Sequence, residues 1–379
     1  MAHCSHPLVI GSHNWRARTL MATCGDQTVP NDPLFGANHL TAVRWGLAGL
    51  VALGHIFLLT DGYEPIRLHQ WTGGYMAVNG FFILSGLLIA KSLSTRRNLG
   101  TYLRSRLLRI YPALIAMALA FILVFAPFFS EPGGIERIWS AETWRYASRV
   151  LAMGDPEHAP GGIFAGNLEA DFNGPLWTIR FEMLAYLAAA FGFFTGLMGG
   201  FKRVIAAYLI VQISYLVLPH VVDFATLSAG ALSLLRLSSP FLMGMVLWHW
   251  PAARRPHSLI VASLAALFVL FGAGPVGELL ANLALIALLL RLGLPNRPNT
   301  MVSAIPDYSY GIYIWHYPVM QGVLFLQPSI SPVVLAIISI PGFILLSALS
   351  WHLIEKPALS LKKRRRPKAV LVFDSEGAQ

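Results

Sequence analysis

Long apolar stretches alternate with short polar breaks from about residue 39 to residue 353. Each stretch is roughly 18 to 22 residues, the length a helix needs to cross the hydrocarbon of a bilayer. Ten such segments fall at 39–59, 74–92, 111–129, 176–198, 202–219, 228–249, 257–273, 275–293, 308–327 and 331–353. The pattern predicts an all-α polytopic membrane protein of about ten transmembrane helices. One membrane domain, 38–357, follows a flexible N-terminal extension, 1–37, and precedes a basic tail, 358–379. Only one polar stretch is long. Within 130–175, Ile135, Trp139, Thr143, Tyr146 and Val150 recur at helical spacing, which predicts an interfacial helix over Glu136 to Met153. Gly161-Gly162 and Asn173-Gly174-Pro175 then mark turns expected to shape a lid over a cleft.

Charge orients these helices. Positive residues are retained in cytoplasmic loops. With both termini inside, most of the 28 Lys and Arg fall on that side, including Lys91, Arg96, Arg97, Arg104, Arg106 and Arg109 in one loop. The outer loops keep only Arg67, Arg137, Arg145 and Arg149, while Arg44, Arg180 and Arg236 lie in or beside helices. N- and C-termini are therefore expected in the cytoplasm of a bacterial cell, with the protein in its inner (plasma) membrane. Hydrophobic residues make up 55% of the chain and charged residues 12%, against about a quarter charged in soluble proteins. The net charge of +10 thus points to anionic membrane lipid and not to nucleic acid. Cys4 and Cys24, the two cysteines, both precede the first apolar run. That leaves no disulfide framework and no intramembrane thiol, and their spacing to His6 and His13 matches no metal site.

A charge inside a bilayer costs roughly 2.5 to 3.5 kcal/mol even on lenient scales, so each one needs a partner or a cavity. Segment one carries Arg44 and His55, separated by about 16 Å of helix. Helix rise from the predicted ends puts Glu182 near the level of His55, and His316 in the layer of Arg44. His55 with Glu182 behind it is the pattern of a general base that activates a hydroxyl. Each also has a plainer reading: a histidine satisfied by a backbone carbonyl, and a carboxylate paired with Arg44 or Arg180. Arg106 and Arg109 suit bidentate phosphate binding or simple cytoplasmic anchoring. Trp177 serves equally as an interfacial residue or a sugar-stacking platform, and Ser85-Gly86 reads as helix packing.

Six motifs occur in an order that resembles the acyltransferase family 3 membrane proteins, over residues 38 to 360. They are Arg44 with His55, Gly80 to Gly86, Arg106 to Pro112, Leu176 to Glu182, Tyr310 to Pro318, and Ile354-Glu355-Lys356-Pro357. The resemblance implies transfer of an acyl group, usually acetyl, from cytoplasmic acyl-CoA to a hydroxyl of a surface polysaccharide, oligosaccharide or glycolipid. It implies no bound cofactor and no metal, with acyl-CoA (acetyl-CoA) as donor substrate and a glycan or other hydroxyl acceptor as partner. On it, Arg44, His55 and Glu182 are candidate catalytic residues, and Arg106, Arg109, Trp177 and His316 candidate substrate-binding residues. Arg180 departs from the family pattern, in which small polar residues are commoner at that place. The alternative drawn from the same charges is a proton-coupled transporter or flippase of a sugar or lipid-linked glycan, against which stands the absence of internal repeats.

Overall fold

The computed structural model describes residues 34–95, 98–154, 156, 159–222 and 228–363. The extension before Leu34, Arg96 and Arg97 of the basic loop, and the tail beyond Lys363 lie outside the described residues.

All ten apolar segments are helical. They form α1 (Leu40–Asp61), α2 (Gly73–Thr95) and α3 (Leu99–Phe128), then, after a short helix α4 (Ala141–Leu151), α5 (Trp177–Phe194), α6 (Phe201–Val221), α7 (Ala229–His249), α8 (Ser258–Phe271), α9 (Gly274–Gly293), α10 (Ser309–Leu326) and α11 (Pro332–Ser360). Among the described residues, eight of these are long and apolar enough to cross a membrane. The other two differ for readable reasons: α8 has only 14 residues, and α10 carries Tyr, His, Gln and Pro among its apolar residues. Polar side chains of that kind are tolerated only inside the bundle, and α10 is buried over most of its length.

Helix α3 starts twelve residues before the predicted third segment, at Leu99, where the Asn98 side chain accepts from Thr101 N. Arg104, Arg106 and Arg109 therefore lie on the helix itself and not in the loop before it. They occupy the first turns of a helix that continues through Pro112 and a π-helical turn at Phe121–Phe125. Helix α11 has a similar wide turn at Trp351–Glu355, and such turns recur at functional sites because they re-aim side chains.

Helices α2 and α7 cross backbone to backbone. A Cβ at Gly86 would stand 1.9 Å from the Phe241 carbonyl, and one at Gly244 2.0 Å from that of Ile83. Small residues at such crossings let dispersion and backbone contact drive association in lipid. Gly86 thus does pack helices as expected.

The long loop departs from expectation in two ways. Its helix α4 begins only at Ala141, capped by Ser140, and buries Thr143, Tyr146, Ala147 and Val150, while Ile135 and Trp139 stand exposed in a 3₁₀ turn. The remainder is no free lid, because the bundle holds it from within. Phe164, Phe172 and Asn173 are fully buried. Asn173 donates to the Ile314 carbonyl of α10 at 2.9 Å, and Gln321 of α10 donates to the carbonyls of Glu169 and Asp171 at 2.6 and 2.8 Å. The loop is pinned because its buried backbone carbonyls need these donors.

Candidate active site

Helices α1 and α10 run side by side, joined by two polar rungs. At the lower rung Arg44 meets Asp307 at 2.6 Å, and Trp45 donates to the Pro306 carbonyl at 3.0 Å. At the upper rung His55 Nδ1 lies 2.8 Å from His316 Nε2, with the rings stacked at 5.1 Å between centroids. The rungs are spaced alike on the two helices, roughly 16 Å on α1 and 14 Å from Asp307 to His316. His316 therefore lies level with His55, not with Arg44. The start of α10 is drawn into the bundle by Arg44, so a depth counted from the membrane edge placed His316 too low.

The proton positions follow from the partners. His316 Nδ1 is 2.8 Å from the Ile312 carbonyl, which can only accept. Nδ1 of His316 therefore carries the proton, and Nε2 of the neutral ring accepts from His55 Nδ1–H. The lone pair left over is on His55 Nε2. His316 is fully buried, whereas His55 lines a cavity of about 350 Å³ on the side of the long loop. Tyr75, Trp177 and Tyr317 supply aromatic walls to this loop-side cavity, and Glu64, Glu169 and Asp171 supply carboxylates. Tyr317 meets the His55 ring edge-on at 5.2 Å.

Glu182 does not orient His55. It accepts from Ser85 Oγ at 3.1 Å and from the Tyr186 hydroxyl, and it lines a second cavity of about 280 Å³ with Arg44, Arg106, Arg109 and Lys362. The reason is again where a helix starts. Gly174–Leu176 dips into the bundle behind buried Asn173, so α5 begins below the surface and carries Glu182 deeper than a count from the membrane edge suggests. Trp177, at the first turn, faces the loop-side cavity.

In this basic cavity the two candidate phosphate ligands differ. Arg109 is bonded to Asp307 at 2.8 Å and to Glu355 at 3.5 Å, so Arg44, Asp307, Arg109 and Glu355 form a chain of alternating charge. Arg106 lies between the Tyr102 and Tyr186 rings, each 5.7 Å away. Among the described residues no carboxylate pairs with Arg106.

Sequence reasoning passed over Asp307, Tyr313 and a further polar cluster. In that cluster Glu278 accepts from Tyr75, Asn79 and Tyr215, and Arg236 stacks 3.6 Å from the Tyr75 ring. Single carboxylates at Asp307 and Glu278, beside or within apolar runs, were the available signal. No group of metal-ligating side chains occurs among the described residues.

Fold and cavities together define a multi-pass membrane protein whose charged side chains converge on paired internal sites. A family described as an acyltransferase domain matches residues 38–352, and the chain belongs to it. It is similar to an O-acetyl transferase of Shigella phage Sf6, 26% identical over 88% of this chain and 99% of the relative. It is also similar to Nodulation protein 10 of Rhizobium leguminosarum bv. viciae, 29% identical over 74% of this chain and 81% of that protein. O-acetyltransferase OatA of Staphylococcus aureus is 26% identical over 82% of this chain and 56% of its own length. No solved structure matches the chain significantly. The protein is a membrane O-acyltransferase, and the transporter alternative falls away.

Proposed function

We propose that the protein transfers an acetyl group from acetyl-CoA, held at the basic cavity, to a hydroxyl of a surface glycan or glycolipid held at the loop-side cavity. The observation that carries this reading is the histidine pair, which leaves Nε2 of His55 unprotonated on a ring that lines a cavity adjoining a second, basic one. His55 accepts the proton of the acceptor hydroxyl as its oxygen attacks the thioester carbonyl. His316 fixes the tautomer and shares the positive charge that forms. The carbon–sulfur bond breaks, and the proton passes to the departing thiolate. Arg106 pairs with phosphate of the donor, while Asp307 and Glu355 hold Arg109 beside it. Aromatic faces and carboxylate acceptors in the loop-side cavity suit a polyhydroxylated sugar.

The positive-inside pattern supports a basic cavity that opens to the cytoplasm of a bacterial inner membrane, where acyl-CoA is found, and a loop-side cavity reached from outside. The test is purified protein in nanodiscs with acetyl-CoA, paired with mass spectrometry of cell-surface glycans with and without the gene. Acetyl mass gain on a glycan, lost in His55→Ala, is the expected result. Glycans unchanged in mass, with no thiol released from acetyl-CoA, would refute the reading.

A further inference from the structure

Two side chains, Val78 of α2 and Tyr313 of α10, line both cavities and so form the wall between them. Phe81 backs this wall, edge-on to the Tyr313 ring at 6.0 Å. Tyr313 is held shut by a latch. Its hydroxyl donates to the Pro175 carbonyl at 2.8 Å. The Thr178 hydroxyl lies 2.6 Å from it and 3.3 Å from the same carbonyl, so the two hydroxyls and the Pro175 carbonyl form one hydrogen-bonded cluster. Pro175 lines the loop-side cavity and Thr178 the basic one, so the latch touches both compartments. Tyr313 is only 8% exposed and lies one turn before His316, with ring centroids 6.2 Å apart.

The chemistry makes this wall consequential. A thioester carbonyl in the basic cavity must reach an oxygen beside His55, on the far side of Tyr313. His55 Nε2 accepts a proton from water as readily as from a sugar hydroxyl, since both are O–H donors of similar kind. If water attacks, its oxygen bonds to the carbonyl carbon and the carbon–sulfur bond breaks. One water proton then passes by way of His55 to the sulfur, leaving a carboxylic acid and a free thiol. General-base strength cannot distinguish the two attackers, so the distinction has to be steric and timed.

Resting on the proposed transfer reaction, we infer that Tyr313 is a specificity-determining residue that selects the acceptor hydroxyl over water. With the latch closed, the phenol separates the thioester from the water of the loop-side cavity. An acceptor seated against Pro175 and Trp177 bears on the same carbonyl that holds the phenol, so acceptor binding and opening of the wall are coupled.

Two measurements test this, one of them independent of chemistry. With acetyl-CoA alone and no glycan added, Tyr313→Ala releases thiol about tenfold faster than the parent protein, as expected when a barrier worth one or two hydrogen bonds is lost. Tyr313→Phe, which keeps the ring and removes only the latch, moves the same way by about threefold. Acetylation of cell-surface glycan falls in both. For the second measurement, Ser85 is replaced by Cys in a background without Cys4 and Cys24, and sealed vesicles are treated with a charged methanethiosulfonate from the loop side. Labelling is slow with Tyr313 and about tenfold faster with Tyr313→Ala. Unchanged labelling in monodisperse Tyr313→Ala and Tyr313→Phe proteins overturns the wall, whatever the enzyme's substrate. Faster labelling with an unchanged ratio of hydrolysis to transfer overturns the selection role alone. A parent protein that neither releases thiol nor acetylates glycan fails the proposed reaction instead.

Discussion

Replacing His316 by Phe isolates the part of the reaction that rests on the histidine pair. Phenylalanine fills the buried site but offers no acceptor for His55 Nδ1–H, 2.8 Å away in the parent protein. In the resting enzyme that bond is between neutral groups. Once His55 has taken the acceptor's proton, the donor is an imidazolium, and such a charge-assisted bond is worth roughly 1.5 to 3 kcal/mol. The interaction is therefore strongest as the proton moves, which is where it bears on turnover and not on binding. At about 1.4 kcal/mol per factor of ten, kcat should fall about 10- to 150-fold with the KM for acetyl-CoA little changed. His55→Ala should cost more, about 10² to 10⁴, because the base itself is gone. The double variant should be no worse than His55→Ala, since the two rings act as one unit. His316→Gln retains an acceptor oxygen and should recover part of the loss. Initial rates of thiol release, measured with an acetylated acceptor product confirmed by mass, decide the matter. Losses that multiply in the double variant, or a His316→Phe enzyme of near-parental kcat, would refute the assignment.

Four further outcomes are expected. Arg106→Ala should raise the KM for acetyl-CoA about tenfold or more, with partial rescue by Lys. Arg109→Ala should instead lower the yield of folded protein in detergent, because it strands buried Glu355 and leaves Asp307 to Arg44 alone, and breaking a buried pair costs roughly 3 to 5 kcal/mol. Glu182→Gln combined with His55→Ala should give losses that multiply, as the two residues serve different cavities; a double variant equal to His55→Ala would join them. In a background without Cys4 and Cys24, a cysteine at Glu136 should react with impermeant reagent from outside the cell and one at Ser258 should not; the reverse would invert the direction of transfer.

The helices were legible because a bilayer-spanning helix requires an unbroken apolar run; each of the ten runs is helical, and eight are long and apolar enough to span. His55 and Arg44 stood out on the same ground, as polar side chains where lipid tolerates few. Their partners were not legible. Pairing depends on how deep each neighbouring helix begins, and depth is set by contacts distant in sequence. Arg44 draws in the start of α10, and Asn173 draws in the start of α5. Either shift moves a side chain by a turn or two, enough to exchange Glu182 for His316 as the neighbour of His55. The latch on Tyr313 was invisible for a related reason, because a tyrosine amid apolar residues reads as core until a carbonyl on another segment is found beside its hydroxyl.

The alternating chain of Arg44, Asp307, Arg109 and Glu355 also bears on how the protein is made. Arg44 is 263 residues from Asp307, and Arg109 is 198 residues from Asp307 and 246 from Glu355. As the chain emerges from the ribosome, both arginines enter the membrane long before either acid has been translated. Each waits without the acid it will later hold. Closure of the circuit requires α10 and then α11 to arrive, so the last two helices complete the first. A chain interrupted between residues 110 and 306 keeps both guanidiniums without either acid, a defect that membrane quality control can read in place of the missing C-terminal helices.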